Sequence, residues 1–142
     1  VTRAMRLGME KHDLAMACIQ QKLNTLRPGG FSLNQRYRLN SQTGKWEPLS
    51  RTEVEALLRA GGKELVGTIE PDTVIHTGNA AEVLDVYDLK FPCPGTNPAR
   101  WNPYPKGHPF EHLNQGELYE KAFEANPARV SPRWGVERLR PL

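Results

Sequence analysis

With 142 residues the chain can build one core burying roughly two-thirds of its unfolded surface, and is too short for a second. Its 38% hydrophobic and 25% charged residues are those of an ordinary globular protein. No apolar run approaches the roughly 18 residues that a membrane span needs, and no charged-then-apolar leader resembles a signal peptide. The net charge of +3 is unevenly spread: residues 1–39 carry seven basic against two acidic side chains, residues 40–90 five against nine, residues 91–128 three against four, and residues 129–142 four against one. Basic ends around an acidic centre suit a polyanion drawn to the ends while the central carboxylates hold a cation, although plain solvated faces have the same composition. A start at Val1 without methionine fits a piece of a longer protein. Cys18 and Cys93 lie far apart with no CxxC companions, so reduced thiols packed as small hydrophobes are expected, without zinc or a disulfide.

Residues 3–26 are predicted to be a helix. Met5, Met9, His12, Met16, Ile19, Leu23 and Leu26 recur at spacings of four and three, a stripe expected to face the core, and Arg27-Pro28-Gly29-Gly30 ends it. His12 lies on that stripe, where a packed, hydrogen-bonded histidine is the common arrangement. Glu10 lies beside its edge, close enough to reach a neighbouring strand. Between Phe31 and Leu49, Gln35–Leu39 and Lys45–Leu49 flank a turn at Asn40-Ser41-Gln42-Thr43-Gly44 and read as a β-hairpin with Arg36 and Arg38 opposite Tyr37. Ser50 or Thr52 then caps a short structural helix that ends at Gly61-Gly62.

The stretches Thr68–His76 and Val83–Phe91 are rich in β-branched and aromatic residues and read as two paired strands around Thr77-Gly78-Asn79. Alternation places Leu84, Val86, Asp88 and Lys90 on one side, and Asp85, Tyr87, Leu89 and Phe91 on the other. Pro71 lacks a backbone donor, so a bend or bulge is expected just before Asp72, turning that carboxylate toward Asp88. Two close, partly buried carboxylates repel each other and lose hydration, and a shared proton or a cation relieves both costs. Magnesium suits such a pair, because it is commonly held by one or two carboxylates plus waters and substrate phosphates. Lys90 is then placed to orient a water or to offset charge on a phosphate.

Prolines at 92, 94, 98, 103, 105 and 109 exclude regular structure, and an ordered loop over the site mouth is expected. Its aromatics Trp101, Tyr104, His108 and Phe110 either stack on bases or pin the loop to the body. Asn114 and Glu117 form a capping box for a last helix, which carries Gln115 and Tyr119 on one face and ends before Pro127. The tail from Ala128 to Leu142, with four arginines and Trp134, is expected to form a strand or an extended cover.

In their order Pro71-Asp72, Asp88-Leu89-Lys90 and Gln115-Gly116-Glu117-Leu118-Tyr119, the chain resembles the PD-(D/E)xK, restriction-endonuclease-like nuclease superfamily. The third element is similar to the QxxxY motif of its RecB-type branch. The run Tyr87-Asp88-Leu89-Lys90-Phe91-Pro92-Cys93-Pro94 resembles restriction-endonuclease-fold toxin domains of bacterial polymorphic toxins and type VI secretion effectors. The resemblance implies an α/β (α+β) fold, a central mixed sheet flanked by helices with a long Pro-rich loop, forming a single nuclease domain at the C-terminal end of a longer protein. It implies that Asp72 and Asp88 ligate Mg²⁺ or Mn²⁺, that the backbone carbonyl of Leu89 adds a ligand, and that Lys90 positions the attacking water. It further implies that Gln115 and Tyr119 hold nucleic acid and that Glu10 completes the acidic set, with Glu70 or Glu55 as substitutes and His12 as another option. The expected activity is metal-dependent phosphodiester hydrolysis, with DNA preferred over RNA. A cognate immunity protein is the expected partner, with secretion from the producing bacterium and action in the target cell cytoplasm. The alternatives are a housekeeping repair or recombination nuclease of the same fold, and a noncatalytic nucleic-acid-binding or protein-docking module.

Overall fold

A computed structural model describes all residues from Val1 to Leu142. In chain order the elements are α1 (Arg3–Leu26), β1 (Phe31–Leu33), β2 (Arg36–Asn40), β3 (Lys45–Leu49), α2 (Arg51–Arg59), a 3₁₀ turn (Lys63–Leu65), β4 (Thr73–His76), β5 (Val83–Leu89), α3 (Gln115–Phe123), β6 (Ala128–Ser131) and β7 (Gly135–Arg138). Five strands form one mixed sheet in the order β1-β4-β5-β6-β7. Only the β5–β6 pair is parallel, the connection between these strands carrying α3. The chain is therefore a mixed α/β protein. None of its helices is long and apolar enough to cross a membrane.

The predicted helices form with the caps their sequences encode. Thr2 accepts the Met5 N–H at the start of α1, while Ser50 with Glu53 and Asn114 with Glu117 close capping boxes on α2 and α3. The apolar stripe of α1, however, is mostly not core. Met16 is its one buried member, whereas Met5, Met9 and Leu26 are 57%, 61% and 77% exposed. At about 1.5 Å per residue this helix is roughly 36 Å long, and it packs on a strand of three residues, far shorter than itself. The two cysteines are free, but exposed rather than packed.

The β2–β3 hairpin forms with Asn40 paired to Lys45 across the expected turn, while Phe31–Leu33 leaves it to become the sheet edge. Tyr37 ties the hairpin to the body by exchanging backbone hydrogen bonds with Ile69 at 2.8 and 3.0 Å. Its ring enters the core, which comprises Tyr37, Ile69, Val74, Val86, Trp101, Leu118 and Tyr119.

The alternation along β5 holds for Val86 and Asp88, both buried on one face, and for Asp85 and Tyr87, which meet Arg138 on the other. Leu84 departs from it and is 56% exposed. Ile75 pairs with Asp85 but His76 pairs with Val83, so Leu84 is the extra residue of a bulge. The main irregularity in this pair thus lies here rather than beside Pro71. In the proline-rich loop the aromatics pack on protein: Trp101 is buried, Tyr104 stacks on His108 at 4.6 Å, and Phe110 lies 5.8 Å from Trp46. The tail forms the β6–β7 hairpin at the far sheet edge.

Candidate active site

β4 begins immediately after Pro71 and Asp72. The ladder between β4 and β5 starts at Thr73 and Tyr87, and beyond it the N–H groups of Asp72 and Leu89 donate to side chains instead. Asp72 and Asp88 supply those side chains reciprocally. The backbone N–H of Asp72 donates to Asp88 Oδ1 at 2.9 Å, and the N–H of Leu89 donates to Asp72 Oδ2 at 2.7 Å. Each carboxylate is thereby held by the strand that carries the other, and the main chain of Asp72 is anchored further by the Asn34 N–H donating to its carbonyl at 3.1 Å.

Two further elements and Lys90 converge on the pair. From α1, His12 Nε2 lies 2.9 Å from Asp72 Oδ1; an ionised carboxylate only accepts, so this nitrogen carries the proton. From α3, the Tyr119 hydroxyl donates to Asp88 Oδ2 at 3.1 Å. Lys90, just past β5, brings Nζ to 3.6 Å from Asp88 Oδ2 and donates to Gln115 Oε1 at 2.7 Å. Gln115 Oε1 also accepts the Asn102 N–H at 3.3 Å, and Trp101 places its ring 5.7 Å from the ammonium.

Asp88 is 4% exposed. Burial first, and the Asp72 charge second, push its carboxyl up to about 6, with Lys90, the Asp72 N–H and Tyr119 pulling the other way. Burial followed by the Asp88 charge pushes the Tyr119 phenol well above its ordinary range, so its proton stays available for donation. The neighbouring cations and donors therefore leave part of the Asp88 charge uncompensated. Both carboxylates are hard oxygen donors with lone pairs left over after the bonds named above. That donor set fits a hard divalent cation whose remaining positions are filled by water and phosphate. No three His, Cys, Asp or Glu side chains are grouped to hold an ion unaided.

Asp72, Asp88, Lys90, Gln115 and Tyr119 are gathered together as the motif order anticipates. Glu10 is not among them. It is exposed and stands two residues from His12, about 200° around the helix, so it faces away when His12 faces Asp72. Glu70 pairs with Arg36, and Glu55 is an exposed residue of α2. Gln115 and Tyr119, expected to hold nucleic acid, instead turn to protein partners. Tyr119 is 2% exposed and occupied by Asp88, and the Gln115 carbonyl oxygen is occupied by Lys90. Asn102 was not legible as a site residue, and Trp101 was legible only as one of the loop aromatics that stack on bases or pin the loop, not as a neighbour of Lys90. A second sequence signal for Trp101 was Gly116 inside a helix, a position where a large neighbour approaches closely. No family model, no curated protein and no solved structure matches this chain.

Proposed function

We propose that this chain is a metal-dependent nuclease domain of restriction-endonuclease-like fold that hydrolyses phosphodiester bonds, with DNA as its substrate. The observation that carries the reading is the reciprocal clasp of Asp72 and Asp88 with Lys90 Nζ 3.6 Å from the buried acid. A divalent cation such as Mg²⁺ or Mn²⁺, held by Asp72, Asp88 and the Leu89 carbonyl, would supply Lewis acidity toward the scissile phosphate. Lys90 orients the attacking water and sets positive charge beside the phosphate oxygens as negative charge builds there. The water oxygen gives up a proton to solvent as it bonds to phosphorus, the P–O ester bond breaks, and the departing oxygen takes up a proton from solvent. His12 and Tyr119 act as positioning residues for Asp72 and Asp88, and Gln115 does the same for Lys90.

The deciding experiment incubates plasmid with the purified chain in Mg²⁺, in Mn²⁺ and in EDTA, beside the Asp72→Ala/Asp88→Ala variant. Cutting by the wild type alone, and only with metal, is the expected result. Plasmid left intact by both proteins overturns the enzyme reading in favour of a binding module.

The biological role we propose, resting on the resemblance of residues 87–94, is that of an interbacterial toxin neutralised by an immunity protein. Expression inside a bacterium lacking that inhibitor should kill it when the acids are intact. Toleration of the active protein points instead to a housekeeping nuclease.

A further inference from the structure

Two clefts open beside the site and share a floor. One is lined by Lys90, Asn97, Arg100 and Asn102; the other by Lys11, Thr96, Ser131 and Arg133; Phe91 and Pro92 belong to both. Their volumes, about 420 and 410 Å³, are those of ligand-sized clefts. Neither is lined by an acidic residue, although the chain carries 16. Lys11, Arg100 and Arg133 are exposed, and none of them is spent on an ion pair, in contrast to Arg129, Arg138 and Arg140 of the tail.

Trp134 lines neither cleft itself but is tied to a residue of each wall. Its indole N–H donates to the Asn97 carbonyl at 3.2 Å, its backbone N–H donates to Ser131 Oγ at 3.3 Å, and the Arg133 guanidinium lies 5.3 Å from its ring. The residue is nevertheless 45% exposed, unlike Trp101, which is buried. A basic groove that tracks a backbone, with an exposed aromatic at its rim, is the arrangement that binds unpaired nucleic acid, because only an unstacked base can lie on the ring.

We propose that the joined cleft from Lys90 past Phe91 and Pro92 to Lys11 and Arg133 is a track for single-stranded nucleic acid, taking backbone phosphates at Arg100 and at the Lys11–Arg133 pair and one base on Trp134. The nuclease reading above supplies the identity of the ligand. The juxtaposition of basic, acid-free clefts with an open indole supplies the place.

The test is fluorescence anisotropy of the full chain with a labelled single-stranded DNA of about twelve nucleotides, in EDTA so that nothing is cut, over a range of salt. Lys11→Glu/Arg133→Glu is expected to weaken binding at least about tenfold and to flatten the slope of log Kd against log salt by about one or more. Trp134→Ala is expected to weaken it about tenfold with the slope unchanged. Lys121→Glu, an exposed lysine outside both clefts, should change neither. The milder Lys11→Gln/Arg133→Gln variant, checked for an unaltered melting temperature, separates lost contact from lost folding and should weaken binding in the same direction. Wild-type binding by both double variants, an equal loss with Lys121→Glu, or tighter binding of the matching duplex overturns the track. So does displacement of the DNA by polyglutamate at equal charge concentration, which would mark an acidic protein as the occupant. Expected binding shifts beside a single-stranded oligonucleotide left uncut in Mg²⁺ would leave the track standing and remove the nuclease. Metal-dependent cutting with unchanged binding would do the reverse.

Discussion

The indole of Trp101 occupies the place where a side chain on Gly116 would begin. A Cβ built on that glycine would lie 2.8 Å from Trp101 Cδ2 and Cε2 and 2.9 Å from Cγ. The close approach seats α3 against the proline-rich loop, and α3 presents Gln115 to Lys90 and Tyr119 to Asp88, on either side of this contact in sequence.

Gly116→Ala should therefore destabilise the protein although alanine is the better helix former. A planar ring cannot fold out of the way, and overpacking of this kind costs about 1–3 kcal/mol. Gly8 in α1 provides the contrast. Nothing stands within 4 Å of its built Cβ, so Gly8→Ala should stabilise α1 by up to about 1 kcal/mol. Paired thermal melts of the two variants check both signs, and a rise for Gly116→Ala would contradict the packing described here.

The raised carboxyl of Asp88 makes metal-free stability fall with pH. The folded chain holds this proton more tightly than the unfolded chain, so the contribution is complete below the unfolded value near 4 and is lost as pH rises through about 6. A difference of about two pH units corresponds to roughly 3 kcal/mol. Urea melts in EDTA between pH 4 and 8 should show the wild type losing about that much relative to Asp88→Asn, which has no proton to lose. Under the proposed function, Mg²⁺ restores stability to the wild type above pH 6 and not to the variant.

Gln115→Ala removes the acceptor that holds Lys90 Nζ. A hydrogen bond to a charged group contributes about 1.5–3 kcal/mol, so under the proposed function kcat for plasmid or oligonucleotide cleavage should fall about 10- to 100-fold with KM nearly unchanged. An undiminished kcat would mean that Lys90 needs no positioning.

On the opposite face of β5, Arg138 forks onto Asp85 at 2.6 and 3.1 Å and donates to Tyr87 at 3.2 Å, joining β7 to β5 across β6. Arg138→Ala should cost about 1–2 kcal/mol of stability, discounted for the quarter of each side chain that water reaches. Under the proposed function cleavage should be retained, since Asp88 faces the other way. Denaturation midpoints and plasmid cutting measured on one preparation separate the two effects.

Much of the architecture was legible along the chain because it depends on neighbours a few residues apart. The capping residues Ser50 and Asn114 start their helices, the turn at Asn40–Gly44 closes its hairpin, and period-two alternation puts Val86 and Asp88 on one face. The same local rules set Lys90 beside Asp88 and Gln115 one turn from Tyr119.

Contacts between distant segments followed from none of those periods. The apolar stripe of α1 has core spacing, yet most of it meets solvent, because the helix outruns the short strand beneath it. Whether Glu10 or His12 reached the acids depended on how that helix is rotated on the sheet. The inward turn of Tyr119 and Gln115 depended on where a loop folded back to bring Trp101 and Asn102 against α3. Spacing along one element specifies which side chains share a face, but which face is covered, and by what, is decided only when separate elements compete for the same core. The sequence alone thus determined the two acids, the lysine and their strands, and tertiary packing decided which residues hold them in place.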